Sequence, residues 1–315
     1  MNSIKEFCLT KKETIDNNKI FIKEPVLDII DKINESSSKK IILSGNFDSG
    51  KRLTSMEYMK EKIYEDELTF YFNSILLNEY QEALRENKIE AYIELSVALK
   101  LLSFIKNIGI SISPMILKMD LYQHINRVKV NLLRNYKCGD LVCPLLYIIR
   151  KATGIKNVQL ILNNIDGLPM NVQQKYSNYF DIFYKTILLI NDNNIINDEE
   201  VRKEYLNKGY DLVNVDYAKD YEIARNIIDS RIAYHNKNNP KDELKFILKM
   251  INEEDFKMLI DSAEGNIRYI LCAMKEFYLS NFKDNELVSN YIKNKANQCK
   301  NLKYRNLYPT KRLYL

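Results

Sequence analysis

The spacing of apolar residues changes along the chain, and each change marks a new element. In VLDIIDKINESSS, Val26, Ile29, Ile30 and Ile33 recur at the three- and four-residue interval of an amphipathic helix. After Lys39 and Lys40 the apolar, β-branched run Ile41–Leu43 reads as a short buried strand. From Lys51 the sequence LTSMEYMKEKIYE sets Leu53, Met56, Met59 and Ile63 on one side of a second helix. ELTFYFNS alternates polar with aromatic residues and predicts a strand over Leu68–Phe72. A long helical region follows, with IEAYIELSVALKLLSFIKNI, a less regular stretch around Pro114, and CPLLYIIRKATG. VQLILNNID then predicts a third strand over Gln159–Leu162, NVQQKYSNYFDIFYK a helix, and TILLIND a fourth strand over Ile187–Ile190. Strands alternating with helices predict an α/β fold with a mostly parallel sheet covered on both faces.

The pattern changes at about Asp216. YAKDYEIARNIIDSRIAYHN, KDELKFILKMI, NEEDFKMLIDSA and GNIRYILCAMKEFYLSNF all read as helices, which predicts a separate helical subdomain. The expected division is an N-terminal extended segment and helix over residues 1–38, an α/β core over 39–215, a helical part over 216–285, and a basic tail over 286–315.

Charge adds one feature. The 315-residue chain carries a net +5, but Lys293–Leu315 holds seven Lys and Arg residues and no acid. That end therefore bears +7 and the rest of the chain −2. Such a run is read either as a solvated end or, with Tyr304, Tyr308 and Tyr314 interleaved, as a contact for a nucleic-acid backbone. Five scattered cysteines without C-x-x-C spacing and two histidines indicate neither a zinc site nor a disulfide framework. With a polar N-terminus and no apolar run near the ~18 residues of a membrane span, the expectation is a cytoplasmic protein without membrane contact. Neither histidine has a paired nucleophile, and the acidic clusters NDEEVR and NEEDF fall where helix N-termini are expected, so capping explains them better than acid–base chemistry.

The sharpest motif is IILSGNFDSGKRLTS, in which Gly45, Gly50 and Lys51 form G-x-x-x-x-G-K between a predicted strand and a predicted helix. Loops of this kind surround phosphate with backbone N–H groups, here at Ser49, Gly50 and Lys51, and with the N-terminus of the following helix, while the lysine neutralises charge. A strand-to-helix turn that needs small residues and happens to precede a lysine would give the same letters.

With three later motifs in order, the chain resembles AAA+ ATPases, nearest to their initiator branch, which includes origin-recognition proteins. GNFDSGK stands as Walker A, LILNNID as Walker B, TILLIN as the sensor-1 strand and EGNIR as the sensor-2 motif opening a lid helix. The resemblance spans roughly Pro25–Phe282. It implies a nucleotide-binding core followed by an all-helical lid, with ATP or ADP held by Gly45, Ser49, Gly50, Lys51, Arg52, Leu53, Asn191 and Arg268. In that family a Ser or Thr follows the Walker A lysine and binds Mg²⁺, and Walker B ends in Asp-Glu, which holds the metal shell and activates water. Here Arg52 replaces the hydroxyl, Asn163 and Asn164 replace the acids, and only the third acidic position survives, as Asp166. Asparagine offers no charge to a cation and no base near neutral pH. The implied protein is thus a pseudo-ATPase that holds phosphate without Mg²⁺ and hydrolyses it poorly or not at all, with no metal ligand and no catalytic residue assigned. Arg52 stands either as a partial substitute for the metal's charge or as a solvent-facing side chain. Arg202 is the candidate for an arginine that reaches a neighbour's nucleotide. The implied role is assembly with a protein partner or further copies of the chain, with nucleic acid as a partner for the basic end. An active ATPase with unusual metal ligands and a nucleotide-free scaffold remain as alternatives.

Overall fold

The computed structural model describes residues 24–46, 48–73, 89–107, 138–163, 181–191, 199–238, 240, 250–280 and 285–306. In order these form helix α1 (Glu24–Glu35), strand β1 (Lys40–Gly45), α2 (Lys51–Tyr64), β2 (Leu68–Asn73), α3 (Ile89–Asn107), α4 (Val142–Thr153), β3 (Val158–Asn163), β4 (Lys185–Asn191), α5 (Glu199–Asn207), β5 (Tyr210–Asn214), a 3₁₀ turn (Tyr217–Lys219), α6 (Tyr221–Asn238), α7 (Glu253–Ala263), α8 (Ile267–Ser280) and α9 (Asn285–Asn306). They fall into two compact units. One comprises Ile33–Ser44 and Ser55–Val213; the other collects the chain up to Lys32, Gly45–Thr54, and everything from Asn214.

The first unit is built on a parallel sheet of five strands in the order β2-β3-β4-β1-β5, flanked by helices. This is the expected α/β architecture, and each of the four strands read from the sequence lies within an observed one. They were legible for a physical reason: Ile41–Leu43, Leu160–Leu162 and Ile187–Ile190 are buried, and strands covered on both faces carry continuous apolar runs. β5 was not anticipated. It lies at the sheet edge beside β1, and its residues are only partly buried, so YDLVN carries too weak an apolar signal to stand out.

Polar groups brace this core at a few buried points. Lys185, at the start of β4, donates through Nζ to the buried Ile33 carbonyl at 2.9 Å, capping a carbonyl in the last turn of α1. Burial holds the Lys185 ammonium below the usual lysine range. The Tyr58 hydroxyl donates to Gln159 Oε1 at 2.5 Å. Glu94 is fully buried on α3, and its carboxylate accepts from the amides of Gly139 (3.0 Å), Leu141 (2.7 Å) and Val142 (2.8 Å). A side chain from one helix thereby caps the N-terminus of its packing partner α4, whose own N-cap residue Leu141 has no side-chain acceptor.

In the second unit α6 to α9 enclose a core that includes Ile228, Phe256, Ile260, Met274, Phe277 and Ile292. As expected for NEEDF, Asn252 caps α7 by accepting from the Glu254 amide at 2.8 Å, with three acids in the first turn. The segment expected to begin a basic tail at 286 is instead helical through Asn306. Val288, Ile292, Ala296 and Cys299 repeat at helical spacing and are buried, and α9 packs on α7 and α8. Dense Lys and Asn between these positions hide the stripe. Two of the seven cations are engaged there: Lys293 Nζ lies 3.8 Å from Asp255 Oδ1, and Lys295 pairs with Glu276.

Several sequence readings fall on residues outside the described set. They are the N-terminal extended segment, the stretch around Pro114, the helix over 171–185 up to residue 180, and the helix over 241–251 up to residue 249. Where the helix read over 171–185 reaches the described set, residues 181–184 form a turn and Lys185 opens β4, so the expected helix is corrected there. No described helix is long and apolar enough to cross a membrane.

Candidate functional site

β1 ends at Gly45, and α2 begins six residues later at Lys51. The backbone between them is shaped by the two glycines of the motif. A Cβ on Gly45 would lie 2.3 Å from the Val215 carbonyl oxygen and 2.6 Å from Ser49 Oγ, a space no side chain fits. Gly50 has φ +104°, outside the reach of ordinary residues, and its Cβ would lie 2.1 Å from the Tyr217 hydroxyl oxygen. The ring of Tyr217 therefore stands directly against the loop. Asp48 has φ +58°, the left-handed conformation that Asp and Asn tolerate better than most residues. The Ser49 amide donates to the Asn46 carbonyl at 3.1 Å, and the Thr54 amide donates to the Gly50 carbonyl at 3.0 Å as α2 begins. Ser49 is 1% exposed, and its hydroxyl finds no hydrogen-bond partner among the described residues.

The loop's charges are arranged unusually for a helix start. The first turn of α2 holds Lys51 and Arg52 and no acid, so two cations stand at the positive end of the helix dipole. Lys51 folds back, donating through Nζ to the carbonyls of Gly45 (2.5 Å) and Asn46 (2.7 Å). Arg52 is exposed and Leu53 half-buried.

The turn between α7 and α8 meets the loop within the same unit. Glu264 and Gly265 both have positive φ, ending α7, and Asn266 then caps α8 by accepting from the Tyr269 amide at 2.9 Å. This sharp turn, spelled EGN, sets Arg268 in the first turn of α8. Arg268 Nη1 lies 3.3 Å from Asp48 Oδ2, and Asn46 Nδ2 donates to the Glu264 carbonyl at 2.5 Å. Burial pushes the Asp48 carboxyl above the usual aspartate range, although Arg268 and then Lys51 pull it back. Beside this turn, Ala218, Ile228, Ile267, Ile270 and Leu271 line a small apolar pocket, in which Ala218 follows Tyr217 and Ile267 precedes Arg268.

The remaining candidates lie on the sheet unit. Asn163 and Asn191 are the last residues of the neighbouring parallel strands β3 and β4, and both are half-buried. Asn164 and Asp166 lie outside the described residues. Arg202 is exposed on α5. Gly45, Ser49, Gly50, Lys51 and Arg268 thus gather within one unit, whereas Asn163, Asn191 and Arg202 belong to the other. Sequence reading missed Asn46, Asp48 and Tyr217. The first two occupy variable positions of the motif, and Tyr217 acts through the space it fills beside Gly50.

These residues fit a phosphate better than a metal ion. Phosphate suits a buried hydroxyl without a partner, an ammonium held by replaceable carbonyls, and a glycine loop at a helix N-terminus. Mg²⁺ prefers charged oxygen ligands; the guanidinium of Arg52 beside Lys51 supplies no lone pair, and Asp48, the loop's one carboxylate, is paired with Arg268. Among the described residues no three His, Cys, Asp or Glu side chains converge as a metal site. Compared with protein-family models and with curated proteins, the sequence matches none.

Proposed function

We propose that this chain is an AAA+-like nucleotide-binding subunit of the initiator type, in which the loop Gly45–Lys51 holds the phosphates of ATP or ADP without Mg²⁺ and with little or no hydrolysis. The helices from Asn214 onward, which share a compact unit with the loop, would serve as its lid, with Arg268 in the sensor-2 role. Bound nucleotide would fix the chain's shape for assembly with a protein partner or further copies of itself.

One observation supports this reading most. The Lys51 ammonium rests on two carbonyls of its own loop, ahead of a helix whose first turn has cations and no acid. Cations at the positive end of a helix cost about 0.3–1 kcal/mol each, a penalty that a bound anion reverses. The glycine geometry and the unpartnered Ser49 hydroxyl fit the same ligand. A nucleotide would supply its own phosphoanhydride chemistry, and this chain's residues would bind and orient it, with the loop amides and Lys51 on the phosphates. A nucleic-acid partner is a further part of the proposal. It rests on the cations from Lys300 onward, because Lys293 and Lys295 already pair with acids of the helical unit.

The test is direct. Purified protein is denatured and its supernatant chromatographed for nucleotide, and ADP is titrated into the nucleotide-free protein and into Lys51→Ala. Losing a charged phosphate contact costs about 1.5–3 kcal/mol, so Lys51→Ala should weaken ADP binding by about tenfold or more. Absence of bound nucleotide together with no binding at millimolar ADP would leave an interaction scaffold. Rapid Mg²⁺-dependent turnover would make the chain an active ATPase.

A further inference from the structure

We infer that Asp48 is a built-in counter-anion of the phosphate loop: its carboxylate holds Arg268 when no phosphate is present, and an incoming phosphate must displace it. The inference rests on the nucleotide-binding reading above and concerns how that site is regulated.

The geometry carries it. Asp48 lies inside the loop, three residues before Lys51, with its side chain 20% exposed and aimed at Arg268, 3.3 Å away on the first turn of α8. Lys51 is the second cation acting on the same carboxylate. One acid is thus shared by the two side chains that a phosphate at this loop would engage. The partners are not symmetric. Arg268 is 52% exposed and can turn to a new anion, whereas Asp48 is 20% exposed and belongs to the loop itself. A second tie, from Asn46 to the Glu264 carbonyl, closes the α7–α8 turn onto the same loop and keeps Arg268 within reach.

The consequence is a threshold. A ligand phosphate gains Arg268 only by breaking the Asp48 pair, and it then sits close to a carboxylate of like charge in a partly buried site, where repulsion is poorly screened. The loop therefore favours ligands with enough negative charge to compete, and the pair keeps the helical turn docked on the loop when none is bound. Neutralising Asp48 removes both the competition and the repulsion. Asparagine suits this change because it tolerates positive φ, and glycine does so without any polar group.

The experiment is a double-mutant cycle read by ADP calorimetry at pH 7.5 in EDTA, with wild type, Asp48→Asn, Arg268→Gln and the double variant, and with Asp48→Gly as a second neutral form. Asp48→Asn and Asp48→Gly should each bind ADP about tenfold more tightly than wild type. Arg268→Gln should bind more weakly, and in its background the gain from Asp48→Asn should fall to about threefold or less. If both neutral variants bind like wild type or worse, the counter-anion inference is overturned while the phosphate loop stands. An equal gain with and without Arg268 overturns the pairing with Arg268. If none of the proteins binds ADP at millimolar concentration, the nucleotide-binding reading and this inference fall together.

Discussion

Replacing Glu94 tests how the sheet unit holds its helices together. Its carboxylate is fully buried and accepts from three amides, at Gly139, Leu141 and Val142, at distances of 2.7–3.0 Å. Hydrogen bonds to a charged group contribute about 1.5–3 kcal/mol, and a carboxylate at a partly buried helix N-terminus gains up to about 2 kcal/mol from the dipole. The three bonds share one side chain and do not add fully, so Glu94→Ala should cost about 3–5 kcal/mol. Glu94→Gln should cost less, about 1.5–3 kcal/mol. The oxygen that accepts from Leu141 and Val142 can be kept, but the new NH₂ would face the Gly139 amide. Urea unfolding followed by circular dichroism gives both numbers. Because the chain has two compact units, the loss should appear in the transition of the sheet unit. If both variants unfold within 0.5 kcal/mol of wild type, about the threshold of a neutral surface change, the cap does not stabilise α4 as argued.

Two further predictions concern the loop. Gly50→Ala places a Cβ 2.1 Å from the Tyr217 hydroxyl at φ +104° and should cost about 1–3 kcal/mol, more than Gly154→Ala, where φ is +76° and no atom lies within 4 Å; equal losses in urea unfolding would show that Tyr217 does not confine the loop. Burial raises the Asp48 carboxyl above its unfolded value, so the folded state binds more protons there and Asp48's contribution to stability must decline as pH rises from the usual aspartate value of about 3.9 through the raised one. The stability of wild type minus that of Asp48→Asn should therefore fall with rising pH, and a flat or rising difference would mean that attraction to Arg268 and Lys51 outweighs burial.

Much of the sheet was legible in the sequence, and the reasons differ by element. Strands buried on both faces, such as Ile41–Leu43 and Ile187–Ile190, must be apolar throughout, so their letters give their place. β5 sits at an edge and α9 hides four buried residues among lysines and asparagines, so neither composition nor a short window exposes them. At the candidate site, Gly45, Gly50 and Lys51 stood out because the strand–loop–helix context restricts residue type. Arg268 was singled out only through the resemblance of EGNIR to a sensor-2 motif; in the structure EGN stops one helix and caps the next, which places Arg268 in a first turn. Its pairing with Asp48 could not be read, since the two lie 220 residues apart and meet only through the packing of the helical unit. The same holds for Asn46, whose partner is a backbone carbonyl and leaves no trace in side-chain identity.

In the proposed function the loop binds phosphate without a metal ion. The most direct measurement is calorimetric titration of nucleotide-free protein with ADP and ATP, once in EDTA and once in excess Mg²⁺, with released phosphate followed in the same samples. Metal-free binding predicts dissociation constants that agree within about threefold between the two conditions, no sustained phosphate release, and binding weakened at least about tenfold in Lys51→Ala. Binding that requires Mg²⁺ and is accompanied by steady turnover abolished in Lys51→Ala would contradict it.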